Sequence, residues 1–97
     1  MLTSKQRAEL AALASTLKPI VFLGKAGADE GVAAALDKAL ADHELVKLRF
    51  IGFKDERREL AAKLGESSRS ELVRLIGNVA IYFRRHPDPA KQSIKLT

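Results

Sequence analysis

The sequence predicts an α/β chain of the α+β sandwich type, with elements in the order α-β-α-β-α-β-β and helices packed on a four-stranded mixed sheet. Three observations predict it. Apolar residues recur at helical spacing in three stretches, and short β-branched or alternating runs lie between them. The last two runs are separated only by Gly77-Asn78, and glycine at the first position of a two-residue loop signals a hairpin. Helices that alternate with strands imply a small layered α/β sandwich, and the final hairpin adds antiparallel pairing to a mixed sheet.

Each element has its own reason. Thr3 and Gln6 have the spacing of a capping box, and Leu10, Leu13, Ala14 and Leu17 then repeat at helical spacing, which predicts a first helix over residues 4–17. Pro19 stops it. Ile20 to Leu23 reads as a short buried strand, and Gly24 to Gly27 as the loop after it. Val32, Ala35, Leu36, Ala39 and Leu40 form an apolar stripe on a second helix at about 29–42. Asp29 and Glu30 fall in its first turn, where carboxylates favour the dipole.

Leu45 to Ile51 alternates, with Val46, Leu48 and Phe50 on one face and Lys47 and Arg49 on a basic outer face. Gly52-Phe53-Lys54 turns the chain, Asp55 is placed to cap a third helix at about 56–64, and Gly65 sits where helices commonly end. Ser67 to Ser70 is a polar connector. Leu72 to Ile76 and Val79 to Phe83 are the last two strands, and the tail from His86, with Pro87 and Pro89, is expected to be irregular.

Composition narrows the function. At 97 residues one domain is expected, and 46% hydrophobic content supports a packed core. Cysteine is absent, which excludes disulfides, thiolate zinc sites and thiol catalysis and fits a reducing compartment. The start, Met1-Leu2-Thr3-Ser4-Lys5, leads into an amphipathic pattern, and no apolar run approaches the ~20 residues of a membrane span. A cytoplasmic location is therefore expected. The net charge is +5, but residues 28–46 hold five acids against one base and carry −4, so the rest of the chain carries +9. That separation predicts a basic face suited to polyanions and an acidic second helix.

No catalytic set emerges, so an enzyme is not expected. His43 and His86 are the only histidines, and neither has metal-ligand spacing with a second histidine or an acid cluster. His43 belongs to the end of the second helix; Asp37, Asp42 and Glu44 read as its solvated side. Ser67, Ser68 and Ser70 lack a nucleophile elbow. Lys25 is followed by Ala26, so the loop is not a Walker A motif. Neither a metal nor a cofactor is expected.

The binding features carry more. Gly24 and Gly27 let a partner approach the backbone, and Lys25 between them supplies a mobile charge. A turn that needs glycine only for its dihedrals is the competing reading. Lys54, Arg57 and Arg58 follow the second strand, where arginine can grip phosphate with two bonds; pairing with Glu56 and Glu59 on a solvated helix face competes. Arg84 and Arg85 end the last strand beside Tyr82. Tyr82 alternates away from Val79, Ile81 and Phe83, which predicts an exposed ring able to stack on a base, or else an edge tyrosine covering its neighbours.

These segments resemble a known family. Leu2-Thr3-Ser4-Lys5-Gln6-Arg7, Leu23-Gly24-Lys25-Ala26-Gly27, His43-Glu44-Leu45-Val46-Lys47, Gly77-Asn78-Val79-Ala80-Ile81-Tyr82-Phe83-Arg84-Arg85 and Ile94-Lys95-Leu96, in that order and spacing, are similar to CRM domains (chloroplast RNA splicing and ribosome maturation), specifically the small bacterial YhbY-like proteins. The resemblance implies a fold similar to the C-terminal domain of translation initiation factor three, preceded by an extra helix. It implies RNA binding through the GxxG loop, here Gly24, Lys25, Ala26 and Gly27, on precursors of the large ribosomal subunit. The expected partner is thus ribosomal RNA, with ribosomal proteins as further neighbours and the chain itself a monomer. An adaptor that docks on ribosomal proteins or assembly factors through the acidic second helix is the alternative. One departure stands out: family members often place an aliphatic residue and a threonine after the second loop glycine, where this chain has Ala28 and Asp29. The carboxylates of Asp29 and Glu30 repel a phosphate at the helix start, which moves the expected contact to Lys25 and the glycine N–H groups.

Overall fold

The computed structural model describes residues 2–24, 30–52 and 55–96. Its order is α1 (Ser4–Ala14), β1 (Val21–Leu23), α2 (Glu30–His43), β2 (Leu45–Phe50), α3 (Arg57–Ser67), β3 (Glu71–Ile76) and β4 (Val79–Phe83), with a single 3-10 turn at Pro89–Lys91 in the tail. The sheet runs β1-β2-β4-β3, parallel between β1 and β2 and antiparallel elsewhere. The predicted class, order and mixed sheet are therefore the observed ones.

Local chemistry explains the boundaries. Thr3 and Gln6 close the capping box in both directions: the Gln6 N–H donates to Thr3 Oγ1 at 3.1 Å and the Thr3 N–H to Gln6 Oε1 at 2.9 Å. α1 ends three residues before the predicted limit. There the Ser15 and Thr16 hydroxyls donate back to the carbonyls of Ala12 and Leu13 and take over the helix end ahead of Pro19. α3 differs more. Asp55 does not cap it; Glu56 occupies that position without a side-chain cap bond. Gly65 does not end it either, and the helix continues to Ser67 before Arg69 adopts φ 55°. Gly65 lies inside the helix beside Tyr82, where an added Cβ would stand 3.5 Å from the ring, an ordinary contact distance.

The sheet is covered on both faces. On one, Val21, Leu23, Val46, Leu48, Phe50, Ala80 and Tyr82 pack with Leu36, Ala39 and Leu40 of α2 and Ala61 and Leu64 of α3. On the other, Leu45, Val73, Ile81 and Phe83 pack with Leu10 and Ala14 of α1, closed by Leu2 and by Ile94 and Leu96 of the tail. Leu45 and Val46 are adjacent and both buried, so the start of β2 departs from the half-buried alternation predicted for it. β3 begins at Glu71 and carries a bulge between Leu72 and Arg74. Arg7 of α1 donates to the Leu72 carbonyl there at 2.7 Å and to Val73 at 3.3 Å, and pairs with Glu71 at 3.3 Å.

The second face is covered only in part. The cross-strand row Phe22–Arg49–Val79–Ile76 spans all four strands on the α1 side. α1 and the tail bury the rows toward Phe83, but Phe22 stays 50% exposed and Ile76 56% exposed.

Candidate nucleic-acid interface

Because β1 and β2 are parallel, their C-terminal ends emerge together, and the β3–β4 turn returns to the same end of the sheet. Two backbone bonds lock this end: the Ile51 N–H donates to the Leu23 carbonyl and the Phe50 N–H to the Asn78 carbonyl, both at 2.8 Å. Gly52 at φ 100° and Gly77 at φ 58° make the turns, in the left-handed region that other residues enter at a cost. Gly24 leaves β1 beside them. Its φ is not left-handed, and no described atom lies within 4 Å of where its Cβ would stand. Lys25, Ala26 and Gly27, and likewise Lys54, lie outside the described residues.

Arg57, the first residue of α3, turns back over this end. Its Nη1 donates to the Gly77 carbonyl at 3.3 Å, with a longer 3.5 Å contact from Nε to the Gly52 carbonyl. Arg58 beside it is exposed. Phe22, Arg49, Ile51, Gly52, Arg57 and Asn78 line a shallow groove of about 410 Å³ where the sheet end meets its open face. Neither Arg49 nor Arg58 makes an ion pair or side-chain hydrogen bond with another described residue, so both guanidinium groups are available to an anion.

Arg84 and Arg85 lie at the opposite end of the sheet. A five-residue β4 separates them from Asn78, a span of roughly 16 Å at ~3.3 Å per residue. The basic residues singled out in the sequence thus form two groups. Arg84 is also occupied: Nη1 donates to Asp37 Oδ1 and to the Ser68 carbonyl, each at 2.7 Å, and Nη2 to the Asp37 carbonyl at 2.8 Å. It ties α2 and the α3–β3 connector to the end of β4. Arg85 is exposed, 5.8 Å over the Phe83 ring and 3.2 Å from Gln92 Oε1.

Tyr82 requires a correction. It is 0% exposed, and its hydroxyl donates to the Ala61 carbonyl at 2.7 Å. Burial pushes its phenol pKa well up. Alternation away from Ile81 and Phe83 points it to the face that α2 and α3 cover, so it is a core residue and no base can reach it. Among the described residues the aromatic ring that is open is Phe22, although its strand reads as buried from the sequence.

Glu44 is a second correction. Rather than lying on the solvated side of α2, it is 2% exposed at φ 61° just past the helix. Its carboxylate accepts the backbone N–H groups of His86 at 2.7 Å, Ser93 at 2.8 Å and Ile94 at 3.3 Å, and so holds the tail. The available sequence signal was an acid in the position past a helix end that usually takes glycine or asparagine. His43 is in the last turn of α2 as expected, and the His86 Nδ1 accepts the Asp88 N–H. Among the described residues no cluster of three or more His, Asp or Glu is set to hold a metal, and no helix is long and apolar enough to cross a membrane.

A three-helix, four-stranded α+β chain is the architecture on which the comparisons converge. Residues 2–84 match the CRS1/YhbY (CRM) domain, and the chain belongs to that family. It is 40% identical over 91 residues to a Pseudomonas aeruginosa protein named a probable RNA-binding protein, covering 93% of this chain and 88% of that one. It is 34% identical over 84 residues to a Haemophilus influenzae protein named an RNA-binding protein, covering 86% and 85%. The solution structure of a hypothetical Staphylococcus aureus protein, described as a candidate RNA binder, superposes with a TM-score of 0.81 at 35% identity, covering 98% of this chain and all of that one.

Proposed function

We propose that this chain is a non-catalytic RNA-binding protein of the cytoplasm that grips RNA backbone at the sheet end where β1 and β2 finish, and that its RNA is the ribosomal RNA of precursor large subunits. The observation that carries the reading is that Gly24 leaves β1 at the sheet end where Arg49 and Arg57 line one groove, with exposed Arg58 next to Arg57 in α3. Gly24 has no left-handed φ, and among the described residues nothing stands within 4 Å of where its Cβ would lie, so the space beside it is open. Glycine there admits the close approach of a partner backbone. The names of the relatives from Pseudomonas and Haemophilus support the same partner class.

The chemistry is electrostatic and geometric. Arginine forks and loop N–H groups meet phosphate oxygens, which fixes structured RNA by shape and backbone more than by base sequence. Lys25 and Gly27 complete the loop in this reading, while Tyr82 and Arg84 are excluded from it by their internal partners.

The test is direct. Affinity for large-subunit RNA fragments should fall steeply with salt, and Gly24→Gln should weaken binding while circular dichroism stays unchanged. A nearly flat salt response, or full affinity in Gly24→Gln, removes the backbone clamp. Co-sedimentation with large-subunit precursors should vanish on nuclease treatment; persistence would favour an adaptor that holds protein through α2.

A further inference from the structure

The open half of the sheet is not explained by a backbone clamp. The row Phe22–Arg49–Val79–Ile76 crosses four strands, three interstrand steps of about 4.8 Å each. The adjacent row on the same face carries Lys47, Ile81 and Arg74. Neither row contains an acid. Phe22 presents a half-exposed aromatic ring directly opposite Arg49, whose guanidinium has no described ion-pair or hydrogen-bond partner. Two residues past Phe22 the chain reaches Gly24, and the groove under Phe22 and Arg49 runs on to Arg57.

We infer that this row is a stacking platform for an unpaired RNA segment, with a base on the Phe22 ring, the adjacent phosphate on Arg49 and a phosphate further along the strand on Arg74. The inference rests on the RNA-binding reading above and adds to it a strand type and a surface. An exposed ring gains from RNA only through a base face, and a duplex keeps its base faces stacked inside. The apolar side chains are interrupted by cations: Arg49 stands between Phe22 and Val79, and Lys47 and Arg74 flank the row. That suits a chain that alternates flat rings with negative charge better than it suits an apolar protein surface. The platform adjoins the sheet-end clamp, so one RNA would run from a structured region at Gly24 onto the open face.

The chain has no tryptophan, and its one tyrosine is buried, so Phe22→Trp creates a single reporter at the proposed stack. Titration with unlabelled oligoadenylate should quench that emission, and duplex RNA of the same length should quench it far less. Phe22→Leu keeps an apolar side chain without a stacking face. It should melt like the unaltered protein and lose about tenfold in affinity for the single strand. Arg49→Gln should lose affinity in the same direction. If Phe22→Leu binds oligoadenylate as tightly as the unaltered protein, and Phe22→Trp emission is unchanged at saturation, the platform is overturned while RNA binding stands, and the row is left to a protein partner. Equal quenching by duplex also overturns it, in favour of backbone contact. If the unaltered protein binds neither single-stranded nor large-subunit RNA at low salt, the broader reading falls and the platform with it.

Discussion

The Glu44 carboxylate accepts the His86 backbone N–H at 2.7 Å, joining the end of α2 to a residue 42 positions later. The same carboxylate takes the Ser93 N–H at 2.8 Å, so both ends of the 3-10 turn are tied to one buried acid. Burial alone would raise its pKa. The N–H of His86, then those of Ser93 and Ile94, outweigh burial and hold it below the ordinary glutamate value of 4.5. An unfolded chain therefore binds a proton here at higher pH than the folded one. The stability this adds is complete above that ordinary value and is lost as pH falls through the lower folded value. Glu44→Gln should cost about 1–3 kcal/mol at neutral pH. Urea melts taken from about pH 7 downward should show the two proteins converging in acid. A constant gap at all pH values would mean that the carboxylate charge contributes nothing.

Tyr82→Phe separates core from interface. The substitution deletes the hydrogen bond to the Ala61 carbonyl and keeps the ring in place between β4 and α3. It should lower stability by about 1 kcal/mol, read as a reduced urea midpoint. Because Tyr82 is fully buried, RNA affinity below the melting range should be unchanged. A drop in affinity with stability intact would return the ring to the RNA surface.

These two residues mark where the sequence was readable. The helices, strands and hairpin follow from local signals: the Thr3–Gln6 box, the apolar stripe of α2, and glycine at position 77 with φ 58°. Elements were legible because period and turn chemistry are written locally. The faces were harder. Residues 80 and 82 differ from 81 and 83 only in the side of the sheet they take, and both sides are buried, by α2 and α3 on one and α1 with the tail on the other. Alternation shows that two faces exist; coverage depends on where distant segments land. The same holds for Phe22, open because α1 stops short of its row, and for Glu44, buried because the tail comes back over it. Arg84 read as a free cation because its partner Asp37 is 47 residues away.

Gly65 offers a test of packing against propensity. It is helical, and an added Cβ would sit at 3.5 Å from the Tyr82 ring, 3.7 Å from the Ser70 carbonyl oxygen and 3.9 Å from the Leu72 Cβ, all ordinary van der Waals distances. Glycine in a helix interior costs ~1 kcal/mol relative to alanine. Gly65→Ala should therefore stabilise the protein by up to about 1 kcal/mol, seen as a raised thermal midpoint with unchanged RNA affinity. A lowered midpoint would show that Tyr82 and α3 cannot share the space.

The two arginine groups should differ in what they do to RNA binding. Arg58 is exposed and makes no ion pair or side-chain hydrogen bond with a described residue. Arg58→Ala should weaken RNA binding without altering the melt. It should also reduce the slope of log affinity against log salt by roughly one, for the single phosphate no longer neutralised. Arg84 is the contrasting case. Its guanidinium is spent on Asp37 and Ser68, so Arg84→Ala should lower the melting midpoint and leave the salt slope as it was. The pair of measurements, slope and midpoint, distinguishes a cation that meets phosphate from one that holds α2 to the end of β4. If Arg84→Ala flattens the salt response and Arg58→Ala does not, the RNA lies across the opposite end of the sheet, at Arg84 and Arg85, and the clamp at Gly24 is not where the backbone is gripped.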